Sequence, residues 1–172
     1  GEPGALRDQL RAILLAGRDT QLAVLVPMVR SLHEVRHVRA ELAQAAAETR
    51  TRAPELGIMV EVAATAAAAG MFAPEVDFFS IGTNDLASEV LQLDRAGPGS
   101  QPALAADLRV LTLIESVVLA ARQTGVKVSV CGDAAADPAV LPLLIGLGVR
   151  TLSVGAARVP RVAQWIAQTN SG

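Results

Sequence analysis

The sequence has no tyrosine, one tryptophan and three phenylalanines, so aromatic residues make up only 2% of its 172 positions. Hydrophobic residues nevertheless reach 51%, which requires an aliphatic core; alanine is frequent, as close helix-on-sheet packing favours. A single cysteine cannot close an internal disulfide, and nothing points to an oxidising compartment. A formal net charge of -2 leaves no electrostatic footprint for nucleic acid or an anionic membrane. Apolar runs are broken by charge, Gly or Pro before the ~20 residues of a membrane span. The N-terminus also lacks the basic-then-apolar order of a signal peptide. A soluble cytoplasmic protein is expected, with residues 1–172 as one domain; a chain of this length buries about 70% of its unfolded surface.

What is present is a set of short apolar runs that stop at polar groups. Val76-Asp77-Phe78-Phe79-Ser80-Ile81-Gly82 ends in Thr83-Asn84-Asp85-Leu86. A run of this kind predicts a strand buried on both faces, with Gly82 allowing a turn or a close approach. Upstream, Gly57-Ile58-Met59-Val60 ends in Glu61; downstream, Val128-Ser129-Val130 ends in Cys131-Gly132-Asp133. Two further strands are predicted at 22–26, stopped by Pro27, and at 149–154.

Helical patterns alternate with them. Leu6, Leu10, Ile13 and Leu14 share a face that ends at Gly17, and Arg7 and Arg11 lie on a neighbouring one. Ser31 and Glu34 form a capping-box pattern before Leu32, Val35, Val38 and Leu42. Residues 47–55 are polar and read as a surface linkage, and 63–72 as an alanine-rich helix closed by Pro74. A short helix is expected after Asp85, and the longest helix over residues 104–121, ending at Gly125. Asp137-Pro138 opens an apolar helix stopped by Gly148, and a closing helix begins near Pro160. Residues 96–100, Ala-Gly-Pro-Gly-Ser, are the one low-complexity patch. Five strands each followed by a helix or helical turn predict an α/β fold with a parallel sheet. Five repeats suit either a complete doubly wound sheet or part of an eight-stranded barrel of ~250 residues.

In parallel α/β barrels the chemistry gathers where strands end. Glu61 and Asp85 place two carboxylates at one rim, which calls for a proton or a cation between them. Two carboxylates with substrate and water suit Mg²⁺; a helix cap and an arginine pair are the alternatives. Arg11 and Arg95 carry guanidinium forks suited to carboxylate or phosphate, or are simply solvated. Cys131 is either a small buried hydrophobe or a catalytic thiol. His33 and His37, four apart beside Arg36 and Arg39, read as a solvated helix face, and Gly146-Leu147-Gly148 as a helix stop.

Gly57-Ile-Met-Val-Glu61, Val76 to Leu86, Leu93-Asp-Arg95 and Val130-Cys-Gly132, in this order, resemble the C-terminal barrel of enzyme I of the sugar phosphotransferase system. Leu6 to Leu14, Val26-Pro-Met28, Leu144 to Gly148 and Arg158 to Gln164 resemble that phosphoenolpyruvate-protein phosphotransferase too. The resemblance implies a TIM-barrel-type fold, with about five of eight βα units present. It implies transfer of the phosphoryl group of phosphoenolpyruvate (PEP) to a protein histidine, leaving pyruvate, and then to a small phosphocarrier protein. By the same resemblance Glu61 and Asp85 would hold Mg²⁺, Asn84, Arg11 and Arg95 would hold substrate, and Cys131 would protonate the enolate carbon. The N-terminal phosphohistidine and carrier-binding domains of that family are expected to be absent, so the chain alone should be weakly active or inactive, and an incomplete barrel should self-associate as a homo-oligomer, such as a dimer.

Departures accompany the resemblance. Val62-Ala63 stand where the family has Thr-Pro, Ala87-Ser88 where it has Thr-Gln, and Ala96-Gly97 where it has Gly-Asn. Asp133 replaces a glutamate, and the usual His-Pro or Ser-Pro is missing around Ala105-Ala106. Pyruvate-phosphate dikinases and PEP synthases share the Thr-Asn-Asp and Cys-Gly signatures. A degenerate oligomerisation or regulatory module is the non-enzymatic alternative.

Overall fold

A computed structural model describes residues 4–93 and 101–169 of the chain. Helix α1, Ala5–Ala16, buries Leu10 and Leu14 and ends as expected at Gly17. It lies along α2, Leu32–Thr49, which starts at the predicted capping box: Glu34 N donates to Ser31 Oγ, and the Glu34 carboxylate accepts from Ser31 N. Between them runs β1, Ala23–Val26. At 18 residues α2 is one longer than α6, Leu108–Thr124, the helix expected to be longest. It runs on to Thr49, into the segment read as a linkage.

Strand β2, Glu55–Val60, leads into two short helices, α3 (Ala63–Ala67) and α4 (Ala69–Phe72), where one was predicted. The chain leaves helical geometry at Ala68, and Gly70, which costs about 1 kcal/mol inside a helix, follows just beyond the break. Strand β3, Phe78–Gly82, passes directly into α5, Thr83–Val90, so Asn84 and Asp85 lie in the first helical turn and not in a loop before it. After α6 come β4, Lys127–Cys131, α7, Leu141–Gly146, and α8, Val159–Thr169. Asp137 caps as predicted, its Oδ1 accepting from Ala139 N and Val140 N, although regular helix begins only at Leu141. The fifth predicted strand is reduced to one parallel bridge, Val130 to Leu152, held by Val130 N to Thr151 O and Ser153 N to Val130 O.

The strands pair in parallel in the order β1-β2-β3-β4. A doubly wound sheet reverses its strand order at a switch point, whereas this order is monotonic. Alternate residues point to opposite faces of a strand. On one face Leu56, Ile58, Val60, Phe79, Ile81 and Val130 are completely buried and join the helix side chains in a single core. The opposite face carries the rows Leu25-Gly57-Phe78-Lys127 and Met59-Ser80-Ser129. There Leu25 and Lys127 are exposed, and Met59, Phe78 and Ser129 are only half-buried. Helices packed on one face of a monotonic parallel sheet make an arc of a βα barrel, with the second face as its interior. On this interior face only Gly57 of β2 and Ser80 and Gly82 of β3 are buried, so the expected burial on both faces holds for parts of β2 and β3 and not for β4, whose interior residues Lys127, Ser129 and Cys131 remain accessible.

Candidate active site

Burying a polar side chain costs free energy unless it finds a partner, so a cluster of buried polar groups needs a reason. Four polar or charged residues are buried among the described ones, Glu61, Thr65, Ser80 and Thr83, and all gather where β1, β2 and β3 end. The pairing explains why. Val60 stands beside Ile81, and Gly82 beside Cys131. Glu61, one residue beyond β2, therefore continues the Gly82-Cys131 row across the sheet.

Glu61 is 4% exposed, and its Oε1 accepts a 2.7 Å hydrogen bond from Met28 N. Met28, with φ of 55°, turns the chain just after β1 and aims this N–H at the carboxylate. The other oxygen lies beside Gly82: a Cβ there would fall 3.2 Å from Glu61 Oε2 and 3.0 Å from Glu61 Cβ. Glycine at this position keeps the space next to the carboxylate free of side chain. Below Glu61, Thr65 Oγ donates to Val29 O at 2.7 Å, tying α3 to the end of β1.

Helix α5 begins at the same rim, and its N-cap, Gly82, supplies no side-chain cap, so the first-turn N–H groups face outward uncapped by a side chain. Thr83 Oγ donates to Cys131 O at 2.8 Å. Asn84 Nδ2 donates to Asp133 Oδ2 at 3.1 Å, while Asn84 Oδ1 accepts from Asp133 N at 3.0 Å. Gly132, at φ 91°, makes this contact possible, since a Cβ there would overlap Thr83 Oγ1 and sit 2.8 Å from Asn84 Oδ1. Asp85, half-buried, is the next residue of the turn. The Cys131 thiol lies on the interior face, 3.4 Å from Ile81 O, and accepts from the Ser80 hydroxyl at 3.5 Å.

The structure thus brings together Glu61, Asn84, Asp85 and Cys131. It does not bring Arg11 to them. Arg11 lies on the outer helix layer, 3.6 Å from Asp8 and 3.5 Å from Glu48. Glu48 is in the last turn of α2, which leads to the start of β2 and so to the opposite end of the sheet. The helical spacing that suggested Arg11 fixed its face on α1 but not the end of the barrel it serves. Arg95 falls outside the described residues. Cations near the rim that sequence spacing did not single out are Arg30, 4.0 Å from Glu89, and Arg158, 3.6 Å from Asp133. No local sequence signal marks either, because each is defined by a carboxylate on a different element.

Two carboxylates, a hydrogen-bonded amide and an interior thiol thus share one rim of the sheet. The sequence profile described as PEP-utilising enzyme, PEP-binding domain, matches residues 1–171. The chain belongs to this family. As a PEP-binding domain it is 39% identical over 178 residues to the phosphoenolpyruvate-protein phosphotransferase of Haloferax volcanii, covering 95% of this chain and 30% of that protein. It is 42% identical over 164 residues to the multiphosphoryl transfer protein of Xanthomonas campestris pv. campestris, covering 93% and 19% respectively. The domain thus spans less than a third of the length of these curated relatives. Among solved structures, a citrate lyase from Burkholderia xenovorans superposes with a TM-score of 0.75 at 18% identity, over 95% of this chain and 54% of that one. A likeness at that identity speaks for the fold alone. No described helix of the PEP-binding domain is long and apolar enough to cross a membrane.

Proposed function

We propose that this domain binds PEP for a phosphotransferase that moves the phosphoryl group to a protein histidine and releases pyruvate. The observation that carries the reading is the single row Glu61-Gly82-Cys131 at the strand ends, flanked by Asn84 and Asp85 on α5. In the proposed reaction a histidine nitrogen of a separate domain attacks phosphorus, and the bond from phosphorus to the enol oxygen breaks. The electron pair stays on the enolate, which then needs a proton on carbon.

Cys131 is the group to give it. Its S–H bond breaks as the C–H bond of pyruvate forms, and the Ser80 hydroxyl, already directed at Sγ, remains as donor to the thiolate. Asn84 and the uncapped N–H groups of α5 are donors for the substrate's carboxylate. Arg95, which follows α5 in sequence, is the proposed cation; Arg11 is left out because of its place. Glu61 and Asp85 offer the hard oxygen donors that Mg²⁺ takes, with the side-chain-free space at Gly82 beside Glu61. When bound, Mg²⁺ supplies charge stabilisation for the enolate oxygen. The relatives' names, a phosphoenolpyruvate-protein phosphotransferase and a multiphosphoryl transfer protein, support a protein as phosphoryl acceptor; a histidine-bearing domain and a small phosphocarrier are the proposed partners, and the partly open interior face supports self-association.

Calorimetric titration of the chain with PEP, with and without Mg²⁺, tests the proposal, with Asp85→Ala as control. Metal-dependent binding lost in the variant is the expected result. Binding indifferent to both Mg²⁺ and Asp85 would overturn the assignment.

A further inference from the structure

Asn84 holds an exposed position, yet its amide is fixed on two sides. The backbone N–H of Asp133 can only donate, and the Asp133 carboxylate, when ionised, can only accept. The amide therefore has one orientation that satisfies both: oxygen toward Asp133 N at 3.0 Å, nitrogen toward Asp133 Oδ2 at 3.1 Å. A flipped amide would set N–H against N–H and oxygen against carboxylate. One N–H and one lone pair of Asn84 are then left in a defined direction for a ligand.

Asp133 is itself held from a third element. Its second oxygen, Oδ1, lies 3.6 Å from Arg158 Nη1. Arg158 closes the turn Ala156–Arg158, whose bond from Arg158 N to Gly155 O is 2.8 Å, and α8 starts at the next residue. One oxygen of the carboxylate thus accepts from Asn84 while the other lies near the Arg158 guanidinium. Val162 of α8 is buried beside an apolar groove of about 460 Å³ that Ile145, Val149, Leu152, Val154 and Ile166 also line. Seating of α8 therefore carries Arg158 to its place.

We infer that Asp133 and Arg158 are positioning residues that fix the amide of Asn84 at the ligand end of the sheet, so that α8 sets the orientation of a group on α5. The pair does not contribute chiefly to stability, because Arg158 and Asp133 are 58% and 37% exposed and exposed ion pairs add little. What it supplies is an amide already oriented before a ligand arrives. The consequence for PEP rests on the proposed function; the orientation of the amide does not.

The test uses ¹⁵N-labelled chain, with the Asn84 side-chain amide identified by its loss in Asn84→Asp. In the unsubstituted chain its two protons are expected at shifts well separated from those of free amides, with slowed exchange. Asp133→Ala, which keeps only the backbone N–H, should move both most of the way toward free-amide values. Asp133→Asn, which keeps one carbonyl acceptor, and Arg158→Gln should move them part of the way, and Arg158→Lys should restore much of the difference. PEP affinity should fall by about 10- to 100-fold in the Asp133 variants, as removal of groups that orient a ligand-binding residue commonly does. The urea midpoint of Arg158→Gln should stay near that of the parent. An Asn84 amide that is unchanged in both Asp133→Asn and Arg158→Gln overturns the inference. An amide that responds as described, in a chain that binds no PEP under any condition, upholds the positioning and overturns the PEP reading.

Discussion

Replacing Gly132 by alanine should cost clearly more than replacing Gly125, the glycine that ends α6. Its backbone, φ 91° and ψ 178°, lies in a region essentially closed to other residues, at a cost of about 1–3 kcal/mol. The added methyl would overlap Thr83 Oγ1 and press on Asn84 Oδ1 at 2.8 Å. Two hydrogen bonds depend on those atoms, Thr83 Oγ to Cys131 O at 2.8 Å and Asp133 N to Asn84 Oδ1 at 3.0 Å. Each contributes about 1 kcal/mol. Loss of glycine's freedom in the unfolded chain offsets about 0.4–1 kcal/mol. The net loss is about 2–4 kcal/mol.

Gly125 supplies the control. It too has positive φ, 76°, but an added Cβ would meet nothing within 4 Å, so only the left-handed backbone cost of about 1–2 kcal/mol remains, less the same unfolded-state offset. With a urea slope of about 2 kcal/mol/M, Gly132→Ala should lower the unfolding midpoint by about 1–2 M and Gly125→Ala by about 0.8 M or less. Equal shifts for the two variants would refute the claim that Gly132 is required by its neighbours as well as by its φ.

Other outcomes follow from the core and the helix caps. Phe79 is completely buried, and Phe79→Ala should lower stability by about 3–5 kcal/mol in the same urea assay; a loss under 1 kcal/mol would mean the sheet face is not packed as described. Asp107 caps α6 by accepting from Arg109 N, and the Arg109 side chain holds its carboxyl down at about 2. The folded-state value lies below the unfolded one of about 3.9, so this contribution is complete above that pH and is lost as the pH falls toward 2. The difference in thermal midpoint between the parent and Asp107→Asn should therefore shrink between pH 5 and pH 2.5; a constant difference would contradict the ion pair.

The alternation of apolar runs and helical faces was enough to place β1 to β4, α2 with its capping box and the stop of α1 at Gly17, because periodicity and caps act within a few residues. The same is true of Glu61, Asn84, Asp85 and Cys131 as a set, since each terminates or follows a strand and parallel strands end at a common rim. Sequence could not choose between a doubly wound sheet and a barrel arc. Strand order and the one-sided placement of the helices decide that, and both are products of long-range packing. It also left the fifth strand too generous: a run of β-formers at 149–154 pairs only where a neighbouring strand offers a ladder, here at Val130.

Charges were legible least of all. Arg11 and Arg158 look alike along the chain, yet one pairs with Glu48 on the outer helices and the other with Asp133 at the strand ends. The physical reason is range: helix spacing and turn chemistry are settled by residues near in sequence, whereas the partner of a guanidinium is whichever carboxylate the tertiary fold sets beside it. The sequence by itself determined the strands, the caps and the residue types at the rim; only the tertiary structure decided which face is interior, which arginine reaches the site, and how the Asn84 amide is turned.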